Sequence, residues 1–310
     1  MLYENPTHIY EWDFFYDCGT IGEMLRKLFA CFSLSFIILF TGCVSLVRPE
    51  LSPEEEAALY PLASYVPEAF DWEEVCPGVS RFDFKNSELP LIYHAVKIDL
   101  TLAVDAGPDQ TLELVCDCRK SATKSAGTAQ FAARTKCAVA VNATPFTRSG
   151  QLAGIHKEAG QVLSQPVARY GAIAFKLGGN AGDCDYVARI FASQADKEIE
   201  NFDYAFGGFF VVLKNGEVRT EFIRRTDSRS GAGLSADGKT LFLLVVEGER
   251  PSKSIGLSYP QCGEIFRAMG CRDALEFDGG GSAELCLNGQ SLLSYKVHRV
   301  QGNSFGFKRR

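Results

Sequence analysis

Three consecutive glycines at positions 279–281, set between Asp278 and Ser282, constrain this 310-residue chain more than any other feature. Each glycine carries backbone freedom that folding must remove. A run of three therefore marks a place that needs unusual dihedrals or very close backbone approach. Successive N–H groups in such a loop make an anion-binding nest. No Gly-Lys-Ser/Thr follows, so the run is not a Walker loop, and the Gly-x-Gly-x-x-Gly spacing of a dinucleotide site is absent. A tight connection between strands with no ligand would use the same residues. Carboxylates cluster around the run at Glu276, Asp278 and Glu284. On a strand, Glu276 and Asp278 would share one face, and paired carboxylates beside a phosphate nest suit glycosyl chemistry. Glu284 reads as a solvated strand residue. Arg229, in Thr226-Asp-Ser-Arg-Ser-Gly231, offers a guanidinium for phosphate or carboxylate. Arg224 and Arg225 could serve instead, and an arginine read alone is as readily a surface residue.

The rest of the chain alternates short strands with few helices. Ile92, His94, Val96, Ile98, Leu100 and Leu102 alternate with mostly polar neighbours, the period of a half-buried strand, with 112–116 as its expected hairpin partner. Residues 124–136 are Ala-rich and predict a helix, and 138–141 a short strand. Strands are expected at 171–177 and 209–213, the second ending in the hairpin turn Asn215-Gly216. Further strands at 231–234 and 240–246 flank the turn Ala236-Asp-Gly238. Ser258 can cap a helix over 260–269 and Gly270 can end it. The strand 274–277 then runs into the glycine loop, and a last hairpin turns at Asn288-Gly289. This pattern predicts a single mixed α/β (α+β) domain with a mixed multi-stranded sheet, hairpins and a few flanking helices, not a doubly wound sheet. That domain is expected over 89–310. Residues 44–88, with Glu54-Glu55-Glu56 and Pro49, Pro53, Pro61, Pro67 and Pro77, read as an acidic, Pro-rich tether and lead-in.

The N-terminus reads as an address. From Leu28 to Val47 no residue is charged, with Arg26 and Lys27 before and Arg48 after. The apolar core 28–40 leads to Thr41-Gly42-Cys43, a secretory pattern similar to a bacterial lipoprotein signal, in which Cys43 would be lipidated. Phe40 departs from the Leu usual three places before that Cys. An uncleaved single-span anchor is the alternative. Residues 1–23 carry Glu4, Glu11, Asp13 and Glu23 and no Lys or Arg, whereas Met24 begins Met-Leu-Arg-Lys. The expectation is therefore a gene-model extension over 1–23 and a signal peptide over 24–43, giving an exported protein lipid-anchored at a bacterial cell envelope. Only this one segment could span a membrane, so a polytopic transporter is excluded. Hydrophobic residues at 46% and charged residues at 23% exclude wholesale disorder. Net charge is −6, from 32 basic and 38 acidic residues, and no basic arm offers a nucleic-acid footprint. Outside the leader stand Cys76, Cys116, Cys118, Cys137, Cys184, Cys262, Cys271 and Cys286. With no Cys-x2-Cys and no His-Glu-x-x-His, they read as structural, either buried or disulfide-bonded, and no metal is assigned. Ca²⁺ held by scattered carbonyls and carboxylates would leave no motif, and no cofactor is expected.

Several segments together resemble the phosphodiester glycosidase family. They are Arg229-Ser-Gly-Ala-Gly233, the strand ending Val246-Glu247-Gly248, the helix ending Met269-Gly270, Asp273-Ala-Leu-Glu-Phe-Asp278-Gly-Gly-Gly-Ser282, and Leu287-Asn288-Gly289. Upstream, Asn142-Ala-Thr-Pro-Phe146 resembles the family's Asn-Gly-x-Phe-Phe segment, and Gly207-Gly208 its Gly-Gly-x-Leu segment. The resemblance spans 97–307 and is specific from 229 to 289. It implies hydrolysis of a sugar-1-phosphodiester to free sugar and phosphomonoester. Phosphate would be held by Gly279, Gly280, Gly281 and Arg229. Asp278, then Glu247, then Glu276 are candidates for the carboxylate that assists water. Ser282 and Asn142 would bond substrate, Gly208 would line the site, and His156, in the family's Gly-rich hairpin, could help. The family's Asp is Glu247 here, its Asn is Glu276 and its second Ser is Ala283. These departures keep a second reading open, a non-catalytic glycan- or sugar-phosphate-binding surface lipoprotein. A third reading is a structural envelope lipoprotein.

Overall fold

A computed structural model of the chain describes residues 52–102, 112–118, 127–178, 186–222 and 224–309. The leader, with Cys43, lies outside the described residues. Among those described, no helix is long and apolar enough to cross a membrane.

The strands form three sheets. The first has eight strands in the order β1 (Glu73–Cys76), β2 (Val79–Asn86), β3 (Leu91–Asp99), β14 (Thr240–Val246), β13 (Arg229–Ser235), β15 (Cys271–Glu276), β11 (Val211–Lys214) and β12 (Glu217–Val218). The second orders β7 (Gln161–Ser164), β6 (His156–Glu158), β10 (Tyr204–Gly207), β8 (Ala172–Leu177) and β9 (Tyr186–Phe191). The third orders β17 (Gln290–Ser291), β16 (Leu285–Leu287), β5 (Cys137–Asn142), β18 (Asn303–Arg309) and β4 (Leu112–Cys118). Neighbours pair antiparallel, as in β13 with β14, β13 with β15 and β18 with β5. Three helices accompany them among the described residues: α1 (Pro53–Leu59), α2 (Thr128–Thr135) and α3 (Tyr259–Ala268). The class is mixed α+β as expected, but with three antiparallel sheets in place of one mixed sheet.

Side-chain period explains the layering. In β14, Leu241, Leu243 and Val245 enter the main core while Phe242, Leu244 and Val246 enter a second core on the opposite face. A strand covered on both sides reads as a continuous apolar run, which is what 241–246 shows. The main core lies where all three sheets meet, with Ile98, Phe175, Phe206, Leu243, Phe305 and Phe307 packed together. The second core is closed by α3 through Cys262, Ile265 and Phe266. Burying each such side chain stabilises the fold by about 1.5–3 kcal/mol.

Two expectations change. The domain does not begin near Leu89: β1 and β2 extend the first sheet, and β2 pairs with β3 along its whole length from Val79↔Ile98 to Asn86↔Leu91. The lead-in is seated as well. Ser52 and Glu55 form a capping box on α1, and buried Glu56 pairs with Arg224 and accepts the Ser258 hydroxyl. Phe82 and Phe84 alternate with charged residues, a strand period hidden by the acidic, Pro-rich composition around it. Nor is β4 the hairpin partner of β3. It pairs with β18, Leu112↔Arg309 through Cys118↔Asn303, because β2 and β14 already occupy both edges of β3. The turns Asn215-Gly216 and Asn288-Gly289 form as expected, with all four residues at positive φ between 49° and 81°. Cys137, Cys262, Cys271 and Cys286 are buried thiols, and Cys76 and Cys116 are partly buried thiols. Cys184 and the Cys118 side chain lie outside the described residues.

Candidate active site

The glycine loop is built by three converging strand ends. After β15, the Phe277 N–H donates to Ser230 O (2.7 Å), and its ring enters the main core. The Asp278 N–H donates to Ala143 O (2.9 Å), just beyond β5. Asn142 closes the loop with its side chain: Nδ2 donates to Asp278 O at 2.6 Å and Oδ1 accepts from the Glu284 N–H at 2.9 Å. Asn142 is fully buried, so the structure places it as the clip across the loop ends.

The glycines are required for two different reasons. A Cβ on Gly279 would stand 2.8 Å from Ser228 O, and Gly280 has φ +55°. The Gly280 N–H donates to Ser228 O and the Ser282 N–H to Gly279 O, forming one 3-10 turn over Gly280–Ser282. The Gly280 amide is thus committed to the protein itself. Asp278 and all three glycines are partly exposed, whereas Ser282 is buried.

The cation at this loop is Arg299, which the sequence reading missed. Its guanidinium carbon would lie 3.7 Å from a Cβ on Gly281, and its Nη1 donates to Ser282 Oγ at 3.5 Å. Asp278 is pushed up to about 6 by desolvation, with the Ser282 hydroxyl and the Arg299 charge opposing the rise. Tyr295 lies on the same segment, its hydroxyl 3.4 Å from Ser228 Oγ and its ring 5.5 Å beneath the Arg250 guanidinium. Burial pushes that phenol up to about 12, so it stays protonated at neutral pH. Gln301 completes the wrap, donating to Ser282 O at 3.2 Å and accepting from the Thr128 N–H at 3.0 Å. Nothing in the spacing of His298-Arg-Val-Gln301 announces this, because the segment reaches the loop only through β18.

Arg229 and Glu276 lie elsewhere, under α3. Arg229 donates through Nε to Leu257 O (2.9 Å) and through Nη2 to Arg225 O (2.7 Å), and lies 4.0 Å over the Tyr259 ring. Glu276 is fully buried, and neither carboxylate oxygen has a hydrogen-bond partner among the described residues. Burial pushes it up to about 7, against the Arg229 charge and the Cys262 thiol. The strand ends at Glu276, so Glu276 and Asp278 do not share a face.

Glu247 also has its own role. It is 1% exposed at the end of β14, and its Oε1 and Oε2 accept from Ser294 N (2.7 Å) and Ser294 Oγ (2.6 Å). His94 stands between Glu247 (3.4 Å) and Asp83 (2.6 Å). Burial raises the Glu247 carboxyl, but the His94 and Ser294 bonds prevail and hold it below its ordinary value. The chain Asp83–His94–Glu247–Ser294 ties down the segment that carries Tyr295 and Arg299. A cleft of about 730 Å³, walled by Glu73, Arg81, Asp83 and His94, opens beside this chain, not at the glycine loop. Gly208, ahead of β11, lies close against the end of β15, since a Cβ there would meet Glu276 O at 2.4 Å. His156 is buried on β6, its Nδ1 2.7 Å from Asn303 Nδ2. Glu284, expected to be solvated, is 4% exposed and accepts from Gln301 Nε2 and Ala129 N.

The sequence profile of the phosphodiester glycosidase family matches residues 135–308, more than half of the chain, a range that includes Asn142, Arg229, Glu247, the glycine loop and Arg299. The chain belongs to the phosphodiester glycosidase family. No curated protein sequence matches it. Among solved structures, this chain is similar to a hypothetical protein from Synechocystis, at 17% identity and TM-score 0.58, covering 75% of this chain and 62% of that one. It is also similar to the catalytic domain of zebrafish N-acetylglucosamine-1-phosphodiester α-N-acetylglucosaminidase, auto-inhibited by its pro-peptide, at 18% identity and TM-score 0.55, covering 78% and 87%. A third structure, a Burkholderia pseudomallei protein described as exported, gives 13% identity and TM-score 0.50, covering 70% and 74%. At these identities the three structures support the fold.

Proposed function

We propose that this family member hydrolyses a sugar-1-phosphodiester at the sugar carbon, releasing free sugar and a phosphomonoester. The observation that carries the reading is the meeting, on one partly exposed loop, of a carboxylate near pKa 6, glycine amides, a hydroxyl and an arginine. Asp278 accepts a proton from water as the water oxygen bonds to the anomeric carbon. The bond from that carbon to the phosphate oxygen breaks, and the phosphomonoester leaves with the electron pair. The phosphate is a good leaving group, so little acid help is needed, and the requirement is to hold its charge where it develops. Arg299 and the Gly279 and Gly281 N–H groups serve that purpose, with Ser282 and Tyr295 as hydroxyl donors. Arg229, Glu276, Glu247 and Asn142 support the frame. General-base assistance is worth about 10²–10⁴-fold.

Export with a lipid anchor at Cys43 fits the basic, apolar and small-residue pattern of 24–43. The sugar-phosphodiester would then lie outside the cytoplasm. Turnover of a panel of α- and β-sugar-1-phosphodiesters, followed as free reducing sugar with Asp278→Asn as control, tests the reading. Release that disappears in the variant supports it. A folded protein protected thermally by sugar phosphate but without turnover replaces it with a binding role.

A further inference from the structure

We propose that Cys116, His156 and Glu158 form a binding site for one zinc-class divalent transition-metal ion, separate from the glycine loop. The three ligands come from two sheets, Cys116 from β4 and His156 and Glu158 from β6. Their donor atoms all lie within 4.8 Å of one another, with His156 Nε2 4.0 Å from the Glu158 carboxylate. A tetrahedral ion about 2.0–2.3 Å from each ligand sets its ligands roughly 3.5 Å apart, so the cluster closes on an ion by shifts of about 1 Å. The second observation is His156 itself. It is fully buried, and its Nε2 has no hydrogen-bond partner among the described residues. A buried nitrogen left without a hydrogen-bond partner is unfavourable, and a metal would satisfy it. Thiolate, imidazole and carboxylate together suit zinc more than magnesium or calcium.

Protons balance as follows. Without metal, Nδ1 accepts from Asn303 Nδ2 at 2.7 Å, so the neutral ring carries its proton on Nε2. Ligation moves that proton to Nδ1 and turns the Asn303 carboxamide so that Oδ1 accepts it. The Thr144 N–H, which now donates to Oδ1 at 2.7 Å, loses that partner. Cys116 binds as thiolate and releases one proton to solvent. The ion would join β4, an edge strand of the third sheet, to β6 of the second.

The test is titration of the metal-free full chain with Co²⁺ as a spectroscopic probe, then with Zn²⁺ in competition. One equivalent should bind with a thiolate-to-cobalt charge-transfer band that Zn²⁺ abolishes, and saturating metal should raise the melting temperature. Cys116→Ser should remove the band, and Glu158→Gln should weaken binding at least about tenfold. Asn303→Asp, which accepts from Nδ1–H without turning, should tighten binding about 10–100-fold. Metal-free melting of Cys116→Ser and Glu158→Gln should match the parent, showing that both fold. Absence of a band in the parent, or a band that persists in Cys116→Ser, overturns the site.

Discussion

Glu276 and Asp278 stand two residues apart and are both raised by burial, yet they occupy different worlds. Glu276 lies under α3 against Arg229 and Cys262, with no hydrogen-bond partner for its oxygens among the described residues. Asp278 lies on a partly exposed loop beside Ser282 and Arg299, its backbone gripped by Ala143 and Asn142. A raised pKa alone therefore does not distinguish a base from a buried carboxyl. Access to substrate and a neighbouring set of anion-binding groups do so. The lesson extends to the arginines. Arg229 is fixed by two carbonyls and an aromatic face, whereas Arg299 lies over the loop.

The sharpest way to break this contrast is to neutralise each carboxylate in turn. Asp278→Asn should lower kcat/KM by about 10²–10⁴-fold. Glu276→Gln should change it less than about threefold. In the parent, kcat/KM should fall about tenfold per pH unit below about 6, because Asp278 must be ionised to accept the proton. A Glu276→Gln enzyme as dead as Asp278→Asn would put both carboxylates in the chemistry and erase the distinction.

The arginines come next in size. Arg299→Ala should raise KM about 10–100-fold, the worth of a charge-assisted hydrogen bond to phosphate. Arg229→Lys should leave KM unchanged in the folded fraction and destabilise the protein by about 2–3 kcal/mol, because an ammonium cannot reproduce the forked contacts to Leu257 and Arg225. Steady-state kinetics beside thermal melting separates the two effects. A KM effect at Arg229 with none at Arg299 would reverse the assignment.

Much of this contrast was legible beforehand, and the part that was not has a physical reason. The glycine run, Asp278, the capped helix α3 and both Asn-Gly hairpins depend on local chemistry, so spacing alone reveals them. Arg299, Tyr295 and Gln301 act through a wrap set by β18, which pairs with β5 and β4 far away in sequence. The third sheet is assembled from such distant segments, and no local period encodes which edges meet. For Asn142 the sequence predicts a bond to substrate, whereas its side chain bonds both ends of the loop, a contact visible only with both ends in view. The strands of the lead-in carried a readable period at Phe82 and Phe84. Composition argued the other way, and the sheet edge prevailed.

Stability should separate the carboxylates by pH. Glu276 is raised from 4.5 to about 7 in the folded chain, so the stability linked to its neutral form is fully present below about 4.5. It is lost as pH rises through about 7. Glu276→Gln stays neutral and should exceed the parent by about 1–3 kcal/mol at pH 8, with little difference at pH 4. Denaturant unfolding at the two pH values reads this directly. Destabilisation by Gln at pH 8 would show that the Arg229–Glu276 charge pair holds this core despite its desolvation.

The smallest expected effect concerns the segment over the loop. Burial opposes both shifts, yet Glu247 is lowered and His94 raised, because the hydrogen bonds of the Asp83–His94–Glu247–Ser294 chain prevail. For Glu247 the linked stability is present above its ordinary value and lost as pH falls through the lowered one. For His94 it is present below about 6.5 and lost as pH rises through the raised value. The chain therefore grips Ser294 best between those limits. Glu247→Gln keeps the shape but removes the charge that both Ser294 donors meet, at a cost of about 1 kcal/mol. Amide exchange at 294–299, corrected for intrinsic rates, should accelerate about fivefold at pH 6, and KM should rise two- to fivefold through Arg299 with kcat nearly unchanged. Unaltered exchange would mean that Gln301 and Arg299 hold the segment without Glu247. A large loss of kcat would instead place Glu247 at the reacting bond, beside Asp278.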